Sequence, residues 1–294
     1  MYINHNTMAS NVANTLTSHY GNLQTSTQRL SSGLRINSAA DDAAGLAIRE
    51  LMRTDIASLQ QGVRNANDAI SLIQTADGAL GVIDEKLIRM KELAEQAATG
   101  TYDSTQRLMI ESEYQAMASE ITRIANSTDF NGIHLLNGNL SSSVHSGTAM
   151  TSTGKMKIHF GTANDSAEDY YYIQIGTSTA SALGVGNQAD ANSKAYTVST
   201  QAAAQKALVG LTDAVVSKDK IRAHLGALQN RLENTISNLT TQAENLQAAE
   251  SRISDVDVAT EMTQFVRNQI LTQSAVAMLS QANSMPQMAM QLIG

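Results

Sequence analysis

Cysteine and tryptophan are absent from this 294-residue chain, which also has one proline and three phenylalanines. Without Cys there are no disulfides, no thiolate metal ligands and no thiol chemistry. Aromatic residues make up only 4 % of the chain, whereas a compact globule of this length draws much of its buried area from aromatic side chains. Burial must therefore come from Leu, Ile, Val, Met and Ala, which suits long helices packed side by side. The single proline, Pro286, leaves helical runs almost uninterrupted. Basic charge is also short. Against 27 Asp and Glu there are 20 Lys and Arg, a net charge of −7, which argues against the clustered cationic surface that nucleic acid requires. No apolar stretch reaches the length of a membrane-spanning helix. The opening MYINHNTMASNVANTLTSHY lacks the basic and apolar regions of a cleaved signal peptide, so neither membrane insertion nor the general secretory route is expected.

What is present is heptad periodicity. Met52, Leu59, Ala66, Ile73, Leu80, Leu87 and Ala94 lie seven apart. A second row starts at Ile56, Val63 and Ile70, then shifts one place to Ala76, Ile83, Met90 and Ala97. Two such rows three to four apart make a coiled-coil seam, and a helix over residues 42–98 would be about 80 Å long. Gly100 ends it, and Ile110, Tyr114, Met117, Ile121 and Ile124 predict a shorter helix, followed by turns at Asn131-Gly132 and Asn137-Gly138. Residues 141–205 change character. Ser, Thr, Gly and Asn dominate, and KMKIHF (155–160) and DYYYIQI (169–175) read as two strands joined by a turn. Heptads return with Leu225, Leu232, Leu239, Leu246 and Ile253. The expected fold is mainly α: an antiparallel coiled-coil hairpin of N- and C-terminal arms with a small β-hairpin at its far end.

The extreme ends carry no Asp, Glu, Lys or Arg from residue 1 to 28, nor from 268 to 294. Both nevertheless show helical stripes, Tyr2, Ala9, Leu16, Leu23 and Leu30 at one end and Met262, Phe265, Ile270 and Leu279 at the other. Such helices cannot stand alone in water, because each leaves an apolar stripe uncovered. Disordered tails would show the opposite balance of charge and hydrophobicity. The ends are expected to pair with each other and then with further subunits.

Ser38-x-x-Asp41 and Ser254-x-x-Asp257 have the form of capping boxes, where charge-poor ends meet charged helices. They lie within longer motifs: LSSGLRINSAADDAAGLAI (30–48), NANDAISLIQTADGALG (65–81), DFNGIHLLNG (129–138), LGALQNRLENTISNL (225–239), RISDVDVATE (252–261) and QANSMPQ (281–287). In these segments, in their order and in their spacing, the chain resembles bacterial flagellins, in a minimal form with little or no variable outer domain. The small residues of AADDAAGLA would permit a neighbouring backbone to approach closely. Combining resemblance and periodicity, residues 1–41 are the N-terminal inner-core helix and connector, 42–140 the outer-core N-terminal helices, and 141–205 the β-hairpin and Ser/Thr-rich connector. Residues 206–253 form the outer-core C-terminal helix, and 254–294 the inner-core helix that pairs with 1–41.

The resemblance implies a non-enzymatic structural subunit that polymerises into the extracellular flagellar filament for swimming and is exported by the flagellar type III apparatus. It implies an export chaperone on the C-terminal segment, and a filament cap and hook-associated junction proteins as neighbours. It also implies a patch for the flagellin-sensing Toll-like receptor, whose Arg, Leu and Glu match Arg89, Leu93 and Glu113. A hook–filament junction protein and, more remotely, a secreted adhesin using the Ser/Thr-rich middle are the alternatives. Six histidines (His5, His19, His134, His145, His159 and His224) show no metal-ligand spacing, and no nucleotide fingerprint or nucleophile motif appears. No cofactor, metal or catalytic residue is therefore expected. Ser141–Ser143, Thr148, Thr151–Thr153 and Thr177–Ser181 are candidate O-glycosylation sites on the exposed middle.

Overall fold

The structure is a computed structural model describing residues 6–146, 154–166, 168–186 and 197–293. It is mainly helical: α1 (Thr7–Ser32), α2 (Ala43–Ala98), α3 (Ser104–Ser127), α4 (Ala180–Leu183), α5 (Gln201–Ser254) and α6 (Val258–Ile293). Two antiparallel strand pairs complete it, β1 (Asp129–Phe130) with β2 (Ile133–His134) and β3 (Met156–His159) with β4 (Tyr170–Ile173). The chain divides into two compact units, Met1–Ile56 with Glu244–Gly294, and Ala57–Ala243. The division falls inside α2 and α5, not at the connectors between helices.

In the second unit the heptad rows form the core. Leu59, Ala66, Ile73, Leu80, Leu87 and Ala94 are buried, as are Ala76, Ile83, Met90 and Ala97, and Leu225, Leu232 and Leu239 of α5 are buried too. Tyr114, Ile121 and Ile124 of α3 join them, with Leu135, Leu136 and Ile173 from the strand region. Ion pairs hold α2 against antiparallel α5. Lys218, 1 % exposed, donates to Asp84 at 2.6 Å and also meets Asp219 at 2.7 Å, while Arg222 Nε donates to Asp77 at 2.7 Å. A buried ammonium is tolerable only with such partners.

The Asn131-Gly132 turn tightens into a two-residue hairpin because both residues adopt left-handed backbone, φ 51° and 79°. The β3–β4 pairing sets Lys157 opposite Tyr172 and His159 opposite Tyr170. Its inner face packs Tyr171 on Phe160 (centroids 4.6 Å apart) and under Arg231 of α5 (3.5 Å). Gly62 of α2 is what lets the hairpin approach, since any β-carbon there would collide with the Phe160 carbonyl. Asn65 Nδ2 donates to the His159 carbonyl at 2.8 Å beside it.

In the first unit, residues 33–35 and 254–256 cross. Arg35 N–H donates to Ser254 O (2.7 Å) and Val256 N–H to Gly33 O (3.0 Å), bridging Leu34 and Asp255. That crossing displaces the expected caps. Ser254 closes α5, with its carbonyl already engaged by Arg35, so it cannot open α6. Asp257 does so instead, its Oδ1 accepting the Ala259 N–H at 3.0 Å. Likewise Ser38 and Asp41 form a turn before α2, where Asp41 Oδ2 accepts the N–H groups of Asn37 and Ser38. The α2 cap is Asp42, whose Oδ1 accepts the Gly45 N–H at 2.8 Å. Within AADDAAGLA, Ala39, Ala40, Ala43 and Ala44 are exposed and Gly45 is buried against the side chains of Asp42 and Ile36.

Leu232→Asp would bury a carboxylate in the second unit and is expected to cost on the order of 3–5 kcal/mol; thermal unfolding measures it, and an unchanged midpoint would place the row in solvent. Acid is the second test. The Arg222 hydrogen bond lowers the Asp77 carboxyl below its ordinary value, and the Ser38 and Asn37 N–H groups lower that of Asp41. In both cases the unfolded chain binds the proton first as pH falls, so these groups stabilise the fold above about pH 4 and cease to as pH drops through their folded values. The melting midpoint should hold from pH 7 to 5 and fall below about 4, less steeply in Asp77→Asn.

Candidate assembly surface

Helices α1 and α6 are each other's principal neighbours. They run antiparallel, for Asn6 Nδ2 donates to Ala282 O at 2.8 Å at one end and Arg29 lies 3.7 Å from Glu261 at the other. The inward positions follow strict 3-4 spacing. On α1 they are Ala9, Val12, Leu16, His19, Leu23, Ser26 and Leu30; on α6, Glu261, Phe265, Asn268, Thr272, Ala275, Leu279 and Ala282. The expected assembly stripe thus separates into two sets. Leu16, Leu23, Leu30, Phe265 and Leu279 lie on the intramolecular seam, whereas Met262 and Ile270 face outward, 44 % and 57 % exposed.

That split follows from the α6 sequence, which is apolar on more than one face. Val258, Met262, Val266 and Ile270, four residues apart, form an exposed row winding away from the seam. Between its leucines and Phe265 the seam also carries small and polar residues. Glu261 and Ser26 are buried, and Glu261 Oε1, Arg29 Nε and His19 Nδ1 are shielded without a hydrogen-bond partner. Periodicity read from apolar residues alone overlooks His19, Ser26, Glu261, Asn268 and Thr272; the unbroken 3-4 spacing through them was the available signal.

Asn6 solves a specific backbone problem. Pro286 sits inside α6 and has no N–H, so the carbonyl four residues earlier, that of Ala282, loses its helical donor. Asn6 supplies the replacement from its Nδ2, while its Oδ1 accepts the Ala9 N–H at 3.0 Å and caps α1. Gly33, in left-handed backbone at φ 73°, closes α1 by donating to Arg29 O. Tyr2 lies outside the described residues.

The suggested receptor patch is only partly at the surface. Arg89 Nε and Nη2 both donate to Glu113 Oε1 (3.0 and 2.9 Å), and Nη1 donates to Glu92 (3.0 Å). Its hydrogen bonds to Glu92 and then Glu113 raise the Arg89 pKa. Leu93 is a core residue, 1 % exposed; it stands one residue before Ala94, off the row of Leu87, Met90 and Ala94, on the flank of the buried stripe. Of the candidate glycosylation positions, Ser142, Ser143 and Ser181 are exposed. Ser141 donates to Gly138 O, Ser178 is buried, Thr179 caps α4, Thr177 is half-buried, and Thr148 and Thr151–Thr153 lie outside the described residues. Among the described residues no cluster of potential metal ligands occurs and no helix is long and apolar enough to cross a membrane.

The N-terminal helical region of bacterial flagellin matches residues 3–141, and the C-terminal helical region matches 208–293. A flagellin of Bacillus subtilis (strain 168) is 43 % identical over 310 residues, and the flagellar filament 33 kDa core protein of Treponema phagedenis is 42 % identical over 293; both alignments span all of each chain. Among solved structures, a putative flagellar hook-associated protein from Vibrio parahaemolyticus is similar with a TM-score of 0.57 at 12 % identity, covering 73 % of this chain and all of that one, a likeness of fold alone. With both helical regions matched and full-length relatives at this level of identity, the chain belongs to the bacterial flagellin family.

Proposed function

We propose that this chain is the structural subunit of an extracellular flagellar filament and polymerises through the outward faces of its paired terminal helices. The row Val258, Met262, Val266 and Ile270 carries the reading. These side chains are 44–57 % exposed, on a helix whose inner seam already holds its partner. A contiguous apolar row of this kind on a helical pair calls for a second surface, and covering it would contribute about 25 cal/mol per Å² of apolar area. Other copies of the chain supply that surface in the filament. The full-length relatives, named as flagellins and filament core proteins, support filament over the junction and adhesin alternatives.

Before assembly the same row needs a temporary cover, which an export chaperone on residues 255–294 would provide on the way through the flagellar type III apparatus. The filament cap and junction proteins would meet the same terminal faces. Recognition by the flagellin-sensing Toll-like receptor would rest on Arg89 and Glu113, since Leu93 is inside. The Ser/Thr-rich middle, residues 141–205, falls largely between the two matched helical regions, which supports reading it as the outward, tolerant part of the subunit.

Ile270→Lys should leave a folded, helical chain that fails to elongate seeded filaments in electron microscopy, because the ammonium would have to be buried unpaired at each contact. Normal filaments from this variant would remove the row from the interface. If native filaments are O-glycosylated, peptide mapping should place sugars on Ser142, Ser143 or Ser181 and not on Ser178; a glycan is tolerated only where nothing packs. Sugar on residues 52–97 or 221–253 would contradict the outward placement of the middle.

A further inference from the structure

The solvent side of the β3–β4 hairpin is built in a way that its attachment to the helices does not require. In a chain with so few aromatic residues, Phe160, Tyr170, Tyr171 and Tyr172 gather on this one hairpin. Phe160 and Tyr171 are used on the inner face, where Tyr171 packs on Phe160 and under Arg231. Tyr170 and Tyr172 are on the other face and form an ordered array with basic side chains. Lys157 Nζ sits 3.5 Å above the Tyr170 ring and Lys155 Nζ 4.1 Å above Tyr172. His159 stacks on Tyr170 at 6.0 Å, His145 tilts against Tyr172 at 5.5 Å, and the two tyrosine rings meet edge to face at 5.4 Å.

From this array we propose that the hairpin's outer face is a binding site for acidic polysaccharide, sugars bearing carboxylate or sulfate groups. The chain as a whole carries −7, yet this face presents two ammonium groups held in place by the rings beneath them, so little side-chain freedom is lost on contact with an anion. Lys157 lies on β3 and Lys155 just before it, two residues apart along the chain, so their backbones are about 7 Å apart in extended chain, a spacing that suits charges repeated along an extended polymer better than one small anion. Asp169, the buried carboxylate beside the hairpin turn, is spent on the backbone N–H groups of Ala163 and Asp165. The tyrosine hydroxyls can both donate to and accept from sugar hydroxyls. Nucleic acid fits less well, because its dense charge would meet the acidic remainder of the chain with only two cations to offset it. Polymerisation would repeat the site on every subunit and raise avidity; that gain alone rests on the filament reading.

The test passes the purified monomeric chain over immobilised heparin, hyaluronan and neutral dextran. Binding to either acidic polymer, weakened by salt, with none to dextran is expected. Lys155→Gln with Lys157→Gln should lower affinity about tenfold or more, whereas Lys206→Gln with Lys220→Gln, an equal charge change on exposed positions of α5, should alter it by less than about twofold. Tyr172→Leu should weaken binding with the charge intact, its folding checked by thermal melting. Equal losses from the two lysine pairs, equal retention on dextran, or duplex DNA bound as tightly through the same residues would each overturn the site. Filament formation by the Lys155→Gln, Lys157→Gln chain is followed separately in electron microscopy. Normal filaments keep the face free for a ligand, and loss of assembly would instead assign it to a second copy.

Discussion

The antiparallel seam between α1 and α6 is the constraint on which the terminal unit rests. Neither helix has charge enough to be solvated alone, and each covers one stripe of the other. Yet the positions between them include Ser26, His19, Glu261, Asn268, Thr272 and two alanines, Ala275 and Ala282. The seam therefore mixes apolar side chains, Leu16, Leu23, Leu30, Phe265 and Leu279, with small and polar ones, and draws less hydrophobic stabilisation than an all-apolar seam would. Other apolar side chains of α6, Met262, Val266 and Ile270 among them, are held outward by the same helical phase.

Directional contacts set the register of the seam, and two are present. Asn6 meets the carbonyl that Pro286 leaves without a donor, which ties the start of α1 to one turn of α6. At the opposite end Arg29 faces Glu261. Both groups are short of hydrogen-bond partners, and a buried pair of that kind serves position more than stability. The crossing of residues 33–35 with 254–256 holds the base of the pair. It also commits the backbone at Ser254, so that Asp257 opens α6.

The second unit follows a different economy. Its heptad rows bury Leu, Ile and Met across α2, α3 and α5 in the usual way, and Lys218 with Arg222 fixes how α5 lies along α2. The β3–β4 hairpin is clamped at its inner face by Gly62, Asn65 and Arg231. Its outer face keeps an aromatic and basic array that no described helix covers.

Periodicity was enough to locate the long helices, the β3–β4 hairpin and the core rows, because a 3-4 repeat of Leu, Ile and Ala has one buried solution along a helix. The charge-free ends announced a need for partners for the same reason. Sequence could not say which partner each apolar residue would meet. Phe265 and Met262 look alike in a stripe, and only the α1–α6 packing turns one inward and the other out. It likewise could not separate Leu93, in the core, from Arg89 four residues earlier on the surface. Nor could it tell that Ser38 and Ser254 would lose the capping role to Asp42 and Asp257, since that depends on a backbone crossing between segments more than two hundred residues apart. The polar seam positions escaped because burial was sought where residues are apolar. Local pattern decides which segments become helices and strands; which face of a helix is covered, and by what, is decided by the long-range contacts of the folded chain.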